Sequence, residues 1–489
     1  MKEITGKYNT AKVFTDNCED VCVEQIRDLL DQEPFRDSKV RIMPDCHAGK
    51  SCVIGFTADL GDKIIPNVVG VDIGCGMLTV ELGKETIDFE RLDKVIRQYV
   101  PSGREVNEGR LMRFPKLQEM KCYRELQDTK KMERAIGSLG GGNHFIEIDR
   151  DDDGNHYLVI HTGSRMLGTR VCEIYQKMAV GLHTGKEALW DEEDRIKREY
   201  KAAGRRSEIQ EVIKELHRNF RQTAPDLPLD LCFLHGKYSQ DYLYDMKICQ
   251  EFADENRHMI ARMIIDNYGF KPLREFTTVH NYIDHDSNIV RKGAVSAKKD
   301  EKLIIPINMR DGSLICIGKG NDDWNQSAPH GAGRRFSRTE AFNRFTVEEF
   351  EKAMSDAGIY TTCVNHSTLD ESPFAYKGMG DIVDNIEPTA DIVKILKPVY
   401  NFKANSTTVK KTTRQIERKV RPKVLMTSNA CQCVQIDLKK RAQQFINTSL
   451  KKSVFTVKMR ICGLVNIDTF CPSNYYYFIE ILGKAAERL

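Results

Sequence analysis

Asp72 and Cys75, an aspartate and a thiol three residues apart, lie in the glycine-rich run Gly70-Val-Asp-Ile-Gly-Cys-Gly-Met77. Glycine allows backbone angles that turn both side chains toward one point. A soft thiolate beside a hard carboxylate suits a borderline ion such as Mn²⁺, Fe²⁺ or Zn²⁺. Taken alone, the segment reads more simply as a buried cysteine beside an aspartate that caps a turn. Three distant histidines change the balance. His144 follows a glycine run in Gly140-Gly-Gly-Asn143-His144-Phe145-Ile146-Glu147, where opened backbone N–H groups could meet an anion. His161 ends an apolar run before Thr-Gly-Ser164-Arg165, and His280 precedes Asn281-Tyr282. One such histidine is more often structural than a ligand. Three of them, each in a Gly- or Asn-marked loop, together with Asp72 and Cys75, point to a metal centre.

His330 offers different chemistry. It lies among small residues in Ser327-Ala-Pro-His330-Gly331-Ala332-Gly333-Arg334-Arg335. Small neighbours let a large ligand approach, and the arginines can neutralise phosphates bidentately. The imidazole could act as general base or covalent nucleophile, or could merely cap the helix expected near Ser337. Met43-Pro-Asp45-Cys46-His47-Ala-Gly-Lys50 is a further tempting metal site, and its Gly-Lys lacks the P-loop spacing. His183, His217, His235, His258 and His366 read as ordinary. Cys431 and Cys433 have no matching second pair for zinc.

These residues need elements to hold them. Short apolar runs at 39–43, 52–56, 64–66 and 77–82 read as strands separated by tight turns, and 157–162 as a strand carrying His161 at its end. Charged, periodic stretches at 186–222 and 232–267 predict two long helices, with Pro225 and Pro228 between them. Strands are expected at 302–307 and 313–317, and helices at 338–356 and 389–398. The chain is therefore α+β with much loop.

The 489 residues carry a net charge of +3, which conceals an asymmetry. Residues 405–489 hold 16 Lys+Arg against 5 Asp+Glu, so residues 1–404 are acidic overall. Bulk charge alone does not make such a body bind nucleic acid, and any polyanion site must be local. Residues 405–489 read as a basic tail of unknown role, poorly ordered or separately packed. No run approaches the length of a membrane span, and the N-terminus lacks a secretory pattern, so cytoplasm is the expectation. In that compartment the 15 cysteines are expected to be reduced thiols.

Taken together and in order, the blocks 43–50, 70–77, 142–147, 161–165, 280–282, 291–296 and 330–334 resemble the RtcB family of RNA ligases, over roughly residues 1–404. The resemblance implies an RtcB-type α+β fold of mixed sheets, long helices and extensive loops around a central dinuclear metal site. It implies a GTP- and Mn²⁺-dependent ligase that joins an RNA 3′-phosphate or 2′,3′-cyclic phosphate to a 5′-hydroxyl, in tRNA splicing or RNA repair. Asp72, Cys75, His144, His161 and His280 would then hold two Mn²⁺ ions, with Cys75 bridging, and His330 would carry GMP covalently. The implied nucleotide pocket comprises Asn143, His144, Phe145, Ile146, Glu147, His280, Asn281, Pro306, Ile307, Asn308, Met309, Ser313, His330, Gly331, Ala332, Gly333 and Lys403. Asn308 stands where many members have serine, and 85 residues follow Lys403-Ala404 where members usually end. From the residues alone, a dinuclear phosphoesterase that opens cyclic phosphates and a catalytically idle RNA-end binder remain alternatives.

Overall fold

Two large sheets organise the protein, whose computed structural model describes residues 1–404. The expectations for 405–489, including those for Cys431 and Cys433, lie outside the described residues. The largest sheet runs, in spatial order, Lys302–Asn308, Gly312–Gly318, Ala390–Lys403, Phe145–Arg150, His156–Thr162, Gly76–Gly83 and Arg274–Val279, with Tyr360–Thr361 pairing beside Ala390–Lys403. A second sheet joins Lys2–Thr5, Thr10–Val13, Arg41–His47, Ile54–Asp59, Ile289–Lys292 and Asn281–Asp284.

Side chains alternate faces along a strand, and both faces of the large sheet are covered. On one face Leu78, Val80, Ile146, Ile148, Leu158 and Ile160 pack against Ile260 and Ile264 of the long helix Gly236–Tyr268 and against Leu92 and Ile96 of helix Phe89–Tyr99. Met77, Phe145, Tyr157, Val159, Ile304, Ile315 and Leu396 form the core on the other face. Each fully buried aliphatic side chain contributes about 1.5–3 kcal/mol. Interior packing therefore holds rigid the strand ends from which the candidate ligands project.

The α+β class holds, and several element expectations need correction. Residues 389–398 form a strand, Ala390–Lys403, not a helix. Bulges between Ile315/Cys316 and between Pro398/Tyr400 break the period-two pattern that would have marked it. The stretch 186–222 divides into Lys186–Ala202 and Ile209–Asn219, broken at Gly204 with φ +74°. The stretch 338–356 divides into Arg338–Arg344 and Val347–Asp356, because Thr346 and Glu349 build a capping box that starts the second helix. At 64–66 there is a single bridge, Ile64 to Leu234, before the short helix Pro66–Val69.

Candidate active site

Sheet register brings the candidate ligands together. Cys75 directly precedes strand Gly76–Gly83, which is flanked on one side by His156–Thr162, pairing Met77 with His161. On its other side Gly76 pairs with Val279, the residue before His280. One strand further out, Phe145 pairs with His161, and His144 immediately precedes that strand. Antiparallel neighbours alternate starts and ends, so Cys75, His144, His161 and His280 all arrive at the same edge of the sheet. Asp72 reaches the cluster from its loop. There, a Cβ on Gly163 would stand 2.2 Å from Asp72 Oδ1, so only glycine leaves room for the carboxylate.

Cys75 Sγ lies 3.2 Å from His161 Nε2 and 3.5 Å from His144 Nε2. His161 Nε2 lies 3.3 Å from His280 Nε2, and Asp72 Oδ2 lies 2.9 Å from His144 Nε2. The hydrogen bonds on the far sides of the rings fix what these atoms offer. His144 Nδ1 donates to Leu139 O at 3.0 Å, and His161 Nδ1 donates to Asn143 O at 3.2 Å. In both rings Nε2 is then a bare lone pair aimed at the cluster. A lone pair 2.9 Å from a carboxylate is repulsive unless a cation lies between them. This donor set fits a metal ion.

Burial and charge support that fit. Burial holds the His161 and His280 imidazoles well below their ordinary pKa, so they are neutral and able to coordinate. Burial works to raise the Asp72 carboxyl, but its contacts with the other donors of the cluster outweigh it and hold it below the usual value. Burial, and then Asp72, push the Cys75 thiol well up. Only a bound cation would make a thiolate comfortable there. Cys75, His144 and His161 form the one group of metal-binding geometry among the described residues. Arg257 of the long helix, 1% exposed, donates to Gly74 O at 2.9 Å and Thr162 O at 3.1 Å. It clamps the two ligand loops together.

His330 stands beside this cluster, its ring centroid 4.9 Å from that of His280. Asp45, completely buried, lies with Oδ2 2.6 Å from His330 Nδ1 and also accepts from the His330 amide at 3.2 Å. The expectation of a metal site at Asp45-Cys46-His47 is not met. Asp45 serves His330, and His47 Nδ1 donates to Asp45 O at 2.8 Å. The signal that could have identified Asp45 is an acidic residue at the end of an apolar strand run. His330, Asp45's partner, is 285 residues away.

A cavity of about 910 Å³ opens over His330. Its walls include Asn143, Phe145, Glu147, His161, His280, Asn281, Pro306, Ile307, Asn308, Met309, His330, Gly331, Ala332, Gly333 and Lys403. Three residues expected in the nucleotide pocket do not line it. His144 faces the donor cluster, Ile146 is fully buried in the core, and Ser313 is fully buried with its hydroxyl unpartnered among the described residues. Asn308 lines the cavity, but its side chain closes its own turn, accepting from the Arg310 and Asp311 amides and donating to Asp311 Oδ2 at 2.8 Å.

Glu371, which nothing in its sequence context marks, anchors one wall. Lys403 Nζ lies 2.7 Å from Glu371 Oε2, both side chains being 3% exposed, and Arg334 and Arg338 bond the same carboxylate. Arg334 and Arg338 are therefore engaged with protein. Arg335 lines the cavity, with its guanidinium over the Phe336 ring. Arg291 and Lys292 are internal braces, one paired to Asp284 at 3.2 Å, the other donating to Lys50 O and Asn67 O.

Residues 30–128 and 115–404 match the family described as tRNA-splicing ligase RtcB. The chain belongs to the RtcB family. It is 29% identical over 411 residues to the RNA-splicing ligase RtcB of Escherichia coli strain K12, covering 76% of this chain and 91% of that protein. Against the tRNA-splicing ligase RtcB of Methanococcus maripaludis the identity is 24% over 482 residues, covering 81% and 93%. The tRNA-splicing ligase RtcB of Archaeoglobus fulgidus is 24% identical over 454 residues, covering 73% and 86%. The RtcB match spans every residue of the donor cluster, His330 and Lys403.

Proposed function

We propose that the protein is an RNA ligase of tRNA splicing or RNA repair. It uses GTP and Mn²⁺ to join an RNA 3′-phosphate or 2′,3′-cyclic phosphate to a 5′-hydroxyl. The Asp45–His330 pair beside the donor cluster carries this proposal, because a phosphoesterase that only opens cyclic phosphates needs no nucleophilic imidazole. The names of relatives from bacteria and archaea support its first part, RNA ligation in splicing.

Asp72, Cys75, His144, His161 and His280 would hold two Mn²⁺ ions. When bound, the ions neutralise charge on phosphoryl oxygens and polarise them. The remaining work falls to the chain. Asp45 takes the Nδ1 proton of His330 as a hydrogen bond and leaves Nε2 as the nucleophile. Nε2 attacks the α-phosphorus of GTP, forming an N–P bond as the bond to pyrophosphate breaks. GMP then passes to the RNA 3′-phosphate, and the 5′-hydroxyl displaces it. A cyclic phosphate is hydrolysed to the 3′-phosphate first. Lys403 and Glu147 line the cavity where the base would sit, and Arg335, which also lines it, would meet a phosphate.

No helix among the described residues is long and apolar enough to cross a membrane. The cysteines among them are unpaired thiols, which supports a cytoplasmic setting. The test is incubation with Mn²⁺ and α-labelled GTP. Acid-labile label on the wild type, absent from His330→Ala, is expected. Label that survives in His330→Ala, or no label at all, refutes the ligase mechanism.

A further inference from the structure

Away from the donor cluster a second group of thiols gathers. Cys18 precedes helix Asp20–Leu30, Cys22 lies in its first turn, and Cys46 lies on strand Arg41–His47. Cys18 Sγ and Cys46 Sγ are 3.8 Å apart, in contact but not bonded. Cys18 is partly exposed, whereas Cys22 and Cys46 are buried. Glu19, which follows Cys18, lines the large cavity together with Val21 and His47, so Cys18 lies near an opening to solvent.

The surroundings favour a thiolate at Cys18. Hydrogen bonds from the Cys22 and Cys46 thiols hold its pKa far below the ordinary thiol value, while theirs are pushed up. The buried Lys377 ammonium donates to Asn17 O at 3.1 Å and to Cys46 O at 2.8 Å, placing positive charge beside both residues. A partly exposed thiolate with a neighbouring thiol in contact is the arrangement that oxidises selectively.

We propose that Cys18 and Cys46 form a peroxide-oxidised thiol pair whose disulfide displaces Asp45 and so disarms His330. The Cys18 thiolate attacks one oxygen of hydrogen peroxide, forming an S–O bond as the O–O bond breaks. Hydroxide leaves and is neutralised by the proton that Cys18 had released. The Cys46 sulfur then attacks the Cys18 sulfenic acid, forming the S–S bond and expelling hydroxide, which the Cys46 proton converts to water. Two thiols lose two electrons and two protons, and one peroxide becomes two waters.

The consequence for the site follows from geometry. An S–S bond of about 2.05 Å requires the two sulfurs to close by well over 1 Å from their 3.8 Å separation. Cys46 lies in the irregular stretch between the paired residues Ile42 and His47, where the strand ladder does not hold it. Its direct neighbour is Asp45, and a Cβ on Gly333 would stand 2.3 Å from Asp45 O, so the His330 loop rests on that backbone. A misplacement of about 1 Å in positioning groups can cost about a hundredfold in rate. The disulfide stands on the thiol geometry alone. Its effect on nucleotide transfer rests on the His330 chemistry proposed above.

Two readouts on the full chain separate these. After peroxide treatment, alkylation and trypsin digestion, tryptic peptide 13–27 should be found joined to 42–50 with the loss of two hydrogens. Dithiothreitol should release the joined pair, and Cys18→Ser and Cys46→Ala should each lack it. Absence of the linked peptide from the oxidised wild type overturns the proposal. In parallel, labelling of His330 by α-labelled GTP should fall about tenfold or more on oxidation and return with dithiothreitol. Cys18→Ser should keep its labelling at the same peroxide dose. Equal loss in Cys18→Ser overturns the link to Asp45. If the untreated protein takes no label, the ligase reading has failed, and the linked peptide still decides the thiol pair.

Discussion

Asp45 grips His330 twice through one oxygen, Oδ2, at 2.6 Å from the ring Nδ1 and 3.2 Å from the backbone amide. Its other oxygen, Oδ1, has no partner among the described residues. The carboxylate is therefore committed to one task, fixing the tautomer and angle of an imidazole. Asp45→Asn keeps the volume but offers the wrong hydrogen-bond pattern. Single-turnover guanylylation of His330 should fall about a hundredfold or more, with GTP binding changed much less. A rate within about twofold of wild type would show that His330 does not depend on this bond.

Cys75 touches both His144 and His161. Removing it should therefore cost more than one donor among several. In calorimetric titration with Mn²⁺, Cys75→Ala is expected to lose high-affinity binding of both ions, and ligation with it. Retention of one tight ion would mean that the thiolate serves only one metal.

The Glu371–Lys403 pair is deeply buried and also holds Arg334 and Arg338. Glu371→Gln leaves three cations facing a neutral amide. Breaking such a pair from one side typically costs about 3–5 kcal/mol. The variant should unfold at clearly lower urea concentration than wild type, and an unchanged midpoint would mean that the cations find other partners.

His258 ties the long helix to strand Arg274–Val279, with Nδ1 3.3 Å from Asp254 and Nε2 3.3 Å from Glu275. The hydrogen bond to Asp254, above all, raises its pKa from 6.5 to about 9. A raised folded-state pKa means that the contribution is complete below 6.5 and is lost as pH rises through about 9. His258→Gln should be less stable than wild type at the acid end of that window, and the difference should vanish at its alkaline end. A difference that stays constant across the window would rule out the charged histidine as its source.

Every candidate site residue falls within 1–404. Deleting residues 405–489 is expected to leave GTP-dependent labelling of His330 intact. Loss of labelling on deletion would assign the tail a part in nucleotide transfer.

The donor cluster was legible because each ligand carries its own local mark: glycines around Asp72 and Cys75, Asn143 before His144, Asn281 after His280. Strand 157–162 was legible because its apolar run is uninterrupted. Strand Ala390–Lys403 was not, since its two bulges and Pro398 scramble the alternation, leaving Ile392, Ile395 and Leu396 at helix-like spacing. Asp45, Arg257 and Glu371 were hidden for another reason. Their roles are defined by partners 285, 183 and 32 residues away, and no local pattern encodes such a meeting. In the segment Asp45-Cys46-His47 three ligand-type residues proved to face three different neighbours.

The gathering of Cys75, His144, His161 and His280 at one sheet edge has a consequence for biogenesis. A slip of one residue in any of the three ladders joining their strands would turn a donor to the opposite face. Those ladders also bring together segments as distant as 76–83 and 274–279, and pairing of such long range is intrinsically slow. Metal uptake would thus report on finished strand pairing. A nascent or misregistered chain would stay chemically silent, unable to take a nucleotide until its architecture is complete.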